Sequence, residues 1–360
     1  VKANEFVSKK DYSMANIEEI LEPSPSRINP KCEHFMVCGG CHFQHIDYQE
    51  QLNQKSNILL ETLQKIGKIN IDTLNGIIYD EPFYYRNRVK FKVKDKEIGF
   101  VGVNTDFVKI EHCPILLKAI NDIIPFLREF SQHFNPDWIS VFYSETQKEY
   151  LLKFSSKDFI NKEKLKKFKE NLTPKAVSGI TLVKSDKKED NVIFSVGTPF
   201  TFLKLLDIKY RISVNSFFQT NTGIVKKLLG MLLEDKVFDR VLDDYAGVGL
   251  FGLQIAKKSK EVHMSDINKS SINDAEYSIK LNNIQNVSAY NQNSFLFLKK
   301  NLSKHTNLLI IDPPRSGLTK DEAELILMGM PDYIYYISCE PSSLARDLRL
   351  LEKKYKISEI

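Results

Sequence analysis

Cys339 stands between an apolar run, Tyr333–Ser338, and Pro341-Ser342-Ser343-Leu344, which reads as the opening of a helix. A thiol placed after a strand and before a helix N-terminus has the helix dipole to favour its thiolate, with Arg346 or Arg315 as nearby cations. The plainer fate of a lone strand-end cysteine is an inert buried thiol. What weighs for a nucleophile is the company it keeps. Ile310-Ile311-Asp312-Pro313-Pro314-Arg315 ends an earlier strand. Its two prolines hold the backbone extended past the sheet edge and present Asp312 and Arg315 toward the same cleft. A proline-capped strand end without chemistry is the alternative. Methylation of a base amine goes with an aromatic residue after the prolines; Arg315 holds that place and argues against it.

A third segment, Val241-Leu242-Asp243-Asp244-Tyr245-Ala246-Gly247-Val248-Gly249-Leu250-Phe251-Gly252, runs from an apolar strand through a glycine turn into a helix. Such a turn lets the backbone approach a nucleotide at the carboxyl edge of a sheet. Asp266 ends the next strand, nineteen positions after Gly247, where an acidic side chain accepts ribose hydroxyls. A glycine turn with no ligand stays open as the bland reading. The aspartate before the turn, and Leu250 in place of a third nearby glycine, make it more like an S-adenosylmethionine loop than a dinucleotide loop.

Cys32, Cys38 and Cys41 are separated by five and then two residues, with Gly39-Gly40 in the second gap, and Cys113 follows in His112-Cys113-Pro114. Four thiolates suit a structural zinc or an iron–sulfur cluster, and Cys-Gly-Gly-Cys alone suits a redox dithiol. The glycines, which allow close approach to cluster sulfides, tilt the choice toward a cluster. His34, His42 and His45 read as surface or packing residues. Five cysteines, an odd count with three of them bunched in Cys32–Cys41, are unlike a secreted disulfide framework and point to a reducing cytoplasm. Arg86, Arg88, Lys90, Lys92 and Lys94 alternate with Asn87, Val89, Phe91 and Val93, a strand with one basic face suited to a phosphate backbone, with Tyr84 and Tyr85 available to stack. An exposed strand carrying anti-aggregation charges reads nearly as well. The net charge of +5 permits a polyanionic partner without requiring one.

The elements that must position these residues fall into two or three domains over 360 residues. Residues 1–27 are polar and strand-like, closed by Pro23 and Pro25. Residues 28–205 hold the cysteines, a helix over Tyr48–Ile66 striped by Leu52, Leu59, Leu60, Leu63 and Ile66, the basic strand, and a lysine-rich solvated helix in 157–169. From 206 to 360, Val237–Tyr245, Glu261–Asp266, Val287–Asn291, Leu308–Asp312 and Tyr333–Ser338 are spaced as the strands of a parallel, Rossmann-like α/β sheet. The last residues, Lys354 to Ile360, read as a strand cut short. No apolar run reaches the roughly 18 residues of a membrane span, so no membrane partner is expected. A monomer is the default.

Together these segments resemble the iron–sulfur-containing RNA (uracil-5-)-methyltransferases, the group that includes the bacterial 23S ribosomal RNA enzymes. The resemblance runs through Cys32–Cys41 with Gln44-His45, Tyr48, Gln51-Leu52 and Lys55, then Cys113-Pro114-Ile115, Phe217-Phe218-Gln219 with Asn221, the glycine turn, Asp312-Pro313-Pro314-Arg315 and Cys339. It implies that Cys32, Cys38, Cys41 and Cys113 hold a 4Fe–4S cluster. It implies that Gln219, Tyr245, Gly247, Gly249, Asp266, Asn293 and Asp312 bind S-adenosylmethionine, and that Cys339 is the nucleophile, with Asp312 beside it in the catalytic centre. RNA, ribosomal RNA above all, is the implied partner, touched by Arg86, Arg88, Lys90, Lys92 and Arg315. It also implies that residues 1–27 end an N-terminal OB-like β-barrel and that the family's proton-abstracting glutamate lies beyond residue 360. Leu250 stands where an asparagine often touches the cofactor, and Glu340 where asparagine is usual. A transfer-RNA uridine methyltransferase, a base-amine methyltransferase and a non-catalytic RNA-binding protein are the competing readings.

Overall fold

A computed structural model describes residues 1–10, 13–185, 190–232 and 236–360. At its start β1 (Lys2–Ser8) and β2 (Ser13–Glu19) pair antiparallel as a ribbon whose side chains are almost all exposed. The cysteine segment follows without regular structure. Then α1 (Tyr48–Thr62) begins at Asp47, whose carboxylate accepts the Glu50 N–H at 3.0 Å, a side-chain cap that satisfies one orphan donor of the first turn. A π turn, Leu63–Gly67, closes the helix and Lys68 leaves it in the left-handed region. The predicted leucine stripe is partly realised, with Leu52 and Leu63 buried.

The central unit contains β3 (Arg88–Lys94), β4 (Glu97–Val101), β5 (Phe107–Lys109), α2 (Lys118–Asp122), α3 (Ile124–Phe134), β6 (Trp138–Ser144), β7 (Glu149–Ser155), α4 (Lys162–Leu172), β8 (Val177–Ser185) and β9 (Asp190–Gly197). The strands form one seven-stranded sheet in the order β5-β4-β3-β6-β7-β8-β9, antiparallel except for β7–β8. α4 supplies the crossover that this parallel pair needs. One sheet face buries Val89, Phe91, Ile139, Val141, Leu152, Phe154 and Ile180 against Phe126, Phe130, Phe134, Leu165 and Phe168 of α3 and α4. The period-two reading of 86–94 holds for most of its length: Val89, Phe91 and Val93 are buried and Lys90, Lys92 and Lys94 exposed. The lysine-rich run is a solvated helix pinned by Leu165 and Phe168.

A hairpin, β10 (Phe200–Leu205) and β11 (Ile208–Ser213), leads into the α/β unit. There α5 (Thr222–Leu232), β12 (Phe238–Asp244), α6 (Leu250–Ile255), β13 (Ser259–Asp266), α7 (Lys269–Leu281), β14 (Val287–Asn291), α8 (Ser294–Asn301), β15 (Leu308–Ile311), α9 (Lys320–Gly329), β16 (Tyr333–Tyr336) and α10 (Pro341–Leu351) alternate. The sheet is parallel throughout, ordered β14-β13-β12-β15-β16. Each of the five predicted strands is present, with its ends shifted by at most two residues. The order reverses between β12 and β15, and that switch point opens a crevice at the carboxyl edge where ligands settle in such sheets. Residues 355–360 are not a strand. A strand needs a ladder, and here Ile360 only exchanges hydrogen bonds with Asn75, while Ile357 and Ile360 pack beside Leu63, Ile69 and Ala345. Among the described residues no helix is long and apolar enough to cross a membrane.

Gly252 shows how tightly α6 seats on the sheet. A Cβ there would lie 2.3 Å from the Met264 sulfur and 2.8 Å from Asp243 Oδ2. Gly252→Ala therefore overpacks the strand–helix contact and is expected to destabilise the protein by about 1–3 kcal/mol, read as a lowered denaturation midpoint with unchanged m-value.

Candidate active site

The loop after β12 is wound by three left-handed residues, Tyr245, Gly247 and Gly249, with φ of 60°, 56° and 83°. Glycine takes this conformation freely, whereas an aromatic residue is held there only by its surroundings. Tyr245 is so held, its hydroxyl donating to Glu322 Oε1 at 3.0 Å. Glu322 is itself fixed by the capping box with Thr319 that starts α9. Asp266, at the tip of β13, accepts the Gly247 N–H at 2.8 Å and the Asn268 N–H at 2.7 Å, so the predicted acidic residue braces the turn. Nothing lies within 4 Å of a Cβ built on Gly247 except the Phe217 carbonyl oxygen at 4.0 Å, which leaves its backbone face open.

That face lines a small cavity of about 30 Å³ together with Phe217, Gln219, Tyr245, Leu250 and Asp312. Three separate segments meet here: the turn after β12, the end of β15 and the loop before α5. Gln219 Nε2 donates to Asp312 Oδ2 at 3.0 Å. Burial pushes the Asp312 carboxyl up to about 6, although the Gln219 hydrogen bond opposes the rise. Phe217 is 56% exposed, an aromatic face left open at the rim. Asn293 is exposed and outside this lining, where its side chain caps α8 by accepting the Leu296 N–H. Asp243 and Asp244 lie fully beneath the turn. Asp243 accepts the Gly252 N–H, and Asp244 accepts hydrogen bonds from the Ser265 and Ser294 hydroxyls.

Cys339 is exposed. It lies just past β16, which pairs with β15 through Ile311 and Tyr336, and the Ile337 N–H donates to the Ile311 carbonyl at 2.8 Å. Asp312 and Cys339 thus leave adjacent parallel strands at the same sheet edge. Glu340 caps α10 by accepting from the Ser342 hydroxyl at 2.8 Å and its N–H at 3.5 Å, so the residue at the position of an expected asparagine acts as an ordinary N-cap.

The second group of candidates converges in the central unit. Cys32, Cys38, Cys41 and Cys113 all line one cavity of about 310 Å³, with His34, Arg86 and His112. None of the four is in a disulfide. Burial pushes the Cys113 thiol up to about 11, with Cys41 and Cys32 adding to the rise, and burial likewise raises Cys32. Among the described residues no group of three or more His, Cys, Asp or Glu side chains is set to hold a single metal ion.

The predicted basic face divides. Lys90 and Lys92 are exposed, Lys90 lying 3.7 Å from the Trp138 ring centre. Arg88 is half-buried, its guanidinium donating to the Ser216 carbonyl at 2.7 Å and lying over Phe142. Arg86 donates from Nε to the Arg88 carbonyl, and Arg315 is exposed.

The family model for tRNA (uracil-5-)-methyltransferases matches residues 47–360. The chain belongs to that family. An RNA methyltransferase of Aquifex aeolicus, described as uncharacterized, is 36% identical over 98% of this chain and 84% of its own length. Another from Prochlorococcus marinus is 30% identical over 98% of this chain and 91% of its own. Among solved structures, the Pyrococcus abyssi tRNA (uracil-54, C5)-methyltransferase in complex with S-adenosyl-L-homocysteine superposes with a TM-score of 0.77 at 24% identity, covering 100% of this chain and 87% of that one. That likeness shows the fold. As an RNA (uracil-5-)-methyltransferase, the chain is an enzyme whose α/β unit is of the Rossmann-like methyltransferase type.

A clamp that the sequence analysis does not anticipate holds the loop before α5. Asn87 is fully buried. Its backbone N–H donates to the Thr220 carbonyl at 3.0 Å and its Nδ2 to the Gln219 carbonyl at 3.4 Å. With Arg88 on Ser216, three donors of the central unit hold the 216–220 loop on which Phe217 and Gln219 sit. The signal was present: Asn87 occupies the apolar side of a strand whose other members there are Val89, Phe91 and Val93. A lone amide in such a row is buried with a polar task.

Proposed function

We propose that this enzyme methylates C5 of uridine in RNA, using S-adenosylmethionine and a covalent Cys339–uracil adduct. The observation that carries the reading is that exposed Cys339 and Asp312, which accepts from Gln219, leave neighbouring strands at the sheet edge that also bears the open Gly247 turn. The turn suits S-adenosylmethionine: Gly247 offers an uncovered backbone, Gln219, Tyr245 and Asp312 surround it, and each Asp266 oxygen keeps a lone pair for a ribose hydroxyl. Gly249 shapes the turn, and Asn293, outside the cavity lining, is proposed for the adenine side on the resemblance alone. When bound, the cofactor supplies an electrophilic methyl group.

The chain's own residues make C5 reactive. The Cys339 thiolate adds to C6 of the uracil, and the electron pair of the C5–C6 bond moves into an enolate spread over C5, C4 and O4. Once C5 carries the methyl group, its proton goes to a base, the C5–C6 double bond re-forms and the C6–S bond breaks, returning the thiolate. The Gln219–Asp312 pair orients the ring, and Phe217 gives its face a surface to stack on. A uridine reaches such a pocket unstacked from its neighbours.

The four-cysteine cavity fits a 4Fe–4S cluster. The donor set is all thiol, the space exceeds that of one ion, and thiols that raise one another's pKa are those a cationic group relieves. Cys32, Cys38, Cys41 and Cys113 would hold it in a unit spanning 28–205, followed by the catalytic unit over 206–360 and preceded by an OB-like module ending in 1–27. Its place there is structural, steadying the unit whose β3 turns Lys90 and Lys92 toward RNA, and Arg315 adds a cation from the catalytic unit. Ribosomal RNA is the first substrate proposed, on the four-cysteine resemblance. Transfer RNA is the second, favoured by the family's description and by the Pyrococcus abyssi enzyme.

The test is release of tritium from RNA carrying C5-tritiated uridine, with S-adenosylmethionine present. Stoichiometric release alongside methyl incorporation is expected; methyl incorporation with tritium retained on C5 would sink the reading. Running ribosomal and transfer RNA in parallel assigns the substrate.

A further inference from the structure

The segment entering β3 carries an aromatic residue in an unfavourable conformation. Tyr84 has φ of 54°, a region that bulky side chains enter only when the surroundings hold them there. The holder is the loop of the fourth cysteine. The Tyr84 N–H donates to the Pro114 carbonyl at 2.8 Å, and the Tyr85 and Arg86 N–H groups donate to the Ile115 carbonyl at 3.2 and 2.9 Å.

Cations gather on what this turn presents. Lys31 Nζ lies 4.5 Å from the Phe83 ring centre and 5.0 Å from that of Tyr84, and Lys118 Nζ lies 5.4 Å from the Tyr84 ring. The His112 ring meets Tyr84 edge-on at 6.0 Å. Lys31, His112 and Lys118 are exposed, and the two aromatic rings are half-buried, so each keeps some open surface. The acidic neighbour Glu33 turns aside to His34, 3.5 Å away. These residues come from three separate stretches of chain, and none is needed for the sheet's core.

We infer that Phe83, Tyr84, Lys31 and Lys118 form a binding subsite for an unpaired stretch of the RNA substrate. The inference rests on the functional reading above and adds a second place where RNA is held. Aromatic rings beside lysines suit a single strand: a base stacks on the ring while the ammonium groups meet the flanking phosphates. Exposed lysine–aromatic contacts are weak, so giving one up for a phosphate costs little. Three residues beyond Tyr84, Asn87 is bonded to the Gln219 and Thr220 carbonyls, so a nucleotide on this platform sits on the same stretch of backbone that sets the catalytic loop.

The experiment is fluorescence anisotropy of the full chain with a labelled uridine-containing stem-loop, at two salt concentrations. Tyr84→Ala is expected to weaken binding about tenfold without changing the salt dependence, as loss of one stacked base does, while Tyr84→Phe stays near wild type. Lys31→Ala with Lys118→Ala removes only exposed side chains. It is expected to flatten the log–log salt slope by about 0.7 for each lost phosphate contact. S-adenosylmethionine binding, followed by calorimetry, stays unchanged in all three. Wild-type affinity and salt slope in the lysine pair and in Tyr84→Ala would overturn the subsite alone. Failure of the wild-type chain to bind any RNA would remove the functional reading beneath it.

Discussion

Replacing Cys339 by alanine is expected to lower uridine methylation by more than about 10³-fold, with S-adenosylmethionine binding retained. C5 of uracil is a poor nucleophile, and only a group added at C6 raises it to an enolate able to take a methyl. Among the described residues, neither polar neighbour replaces a thiolate in that role: Ser338 is engaged with Glu340, and Asp312 leaves the adjacent strand as a weakly nucleophilic carboxylate. The Cys339 side chain is exposed, so its truncation opens no cavity and shifts stability by about 0.5 kcal/mol at most. Lost activity then reports chemistry and not unfolding. Tritium release from C5 should vanish along with methyl transfer, since both depend on the adduct. A Cys339→Ala protein that still methylates RNA would place the methyl on an amine or another atom, and the covalent scheme would be withdrawn.

How far the sequence revealed this site depends on what kind of signal each residue leaves. The strands of the α/β unit were readable because a parallel sheet buries both faces, which turns each strand into an apolar run such as Leu308–Ile311. The glycine turn and Asp312 follow from where those runs stop. Cys32, Cys38, Cys41 and Cys113 were legible as a set, and the structure brings all four to one cavity. Side-chain direction was less accessible. Period two places Arg88 on the basic face, but the 216–220 loop passes that end of the strand, so its guanidinium serves the Ser216 carbonyl, while Lys90 and Lys92 stay outside. Such contacts join residues more than a hundred positions apart, and no local pattern encodes them. The tail 355–360 has the apolar residues of a strand without a partner to ladder with. Tyr84 is a third case: its φ is set by the Pro114 carbonyl and cannot be read from the aromatic residue itself.

Asp312→Asn is expected to slow turnover by about 10²-fold at pH 7.5 and to remove one titration from the pH profile. Burial lifts this carboxyl to about 6, against an ordinary value of 3.8. At neutral pH it is ionised and accepts the Gln219 N–H, the state in which it can orient a uracil ring. As pH falls through about 6 the group protonates and the wild-type rate drops. Asparagine keeps an oxygen for Gln219 and has nothing to titrate. The ratio of wild-type to variant rate, in which any pH dependence common to both proteins cancels, should therefore shrink below pH 6 and level off above 7. Stability should move the opposite way. A carboxyl whose folded pKa is raised contributes fully below pH 3.8, and that contribution is lost as pH climbs through about 6, because the native state holds the proton more tightly than the unfolded chain. The variant escapes this loss, so its melting temperature should gain on the wild type between pH 4.5 and pH 8. A rate ratio flat from pH 5 to pH 8 would show that Asp312 does not act through its charge. Opposed changes in activity and stability mark a residue kept ionised in a half-buried site because the reaction uses the charge there.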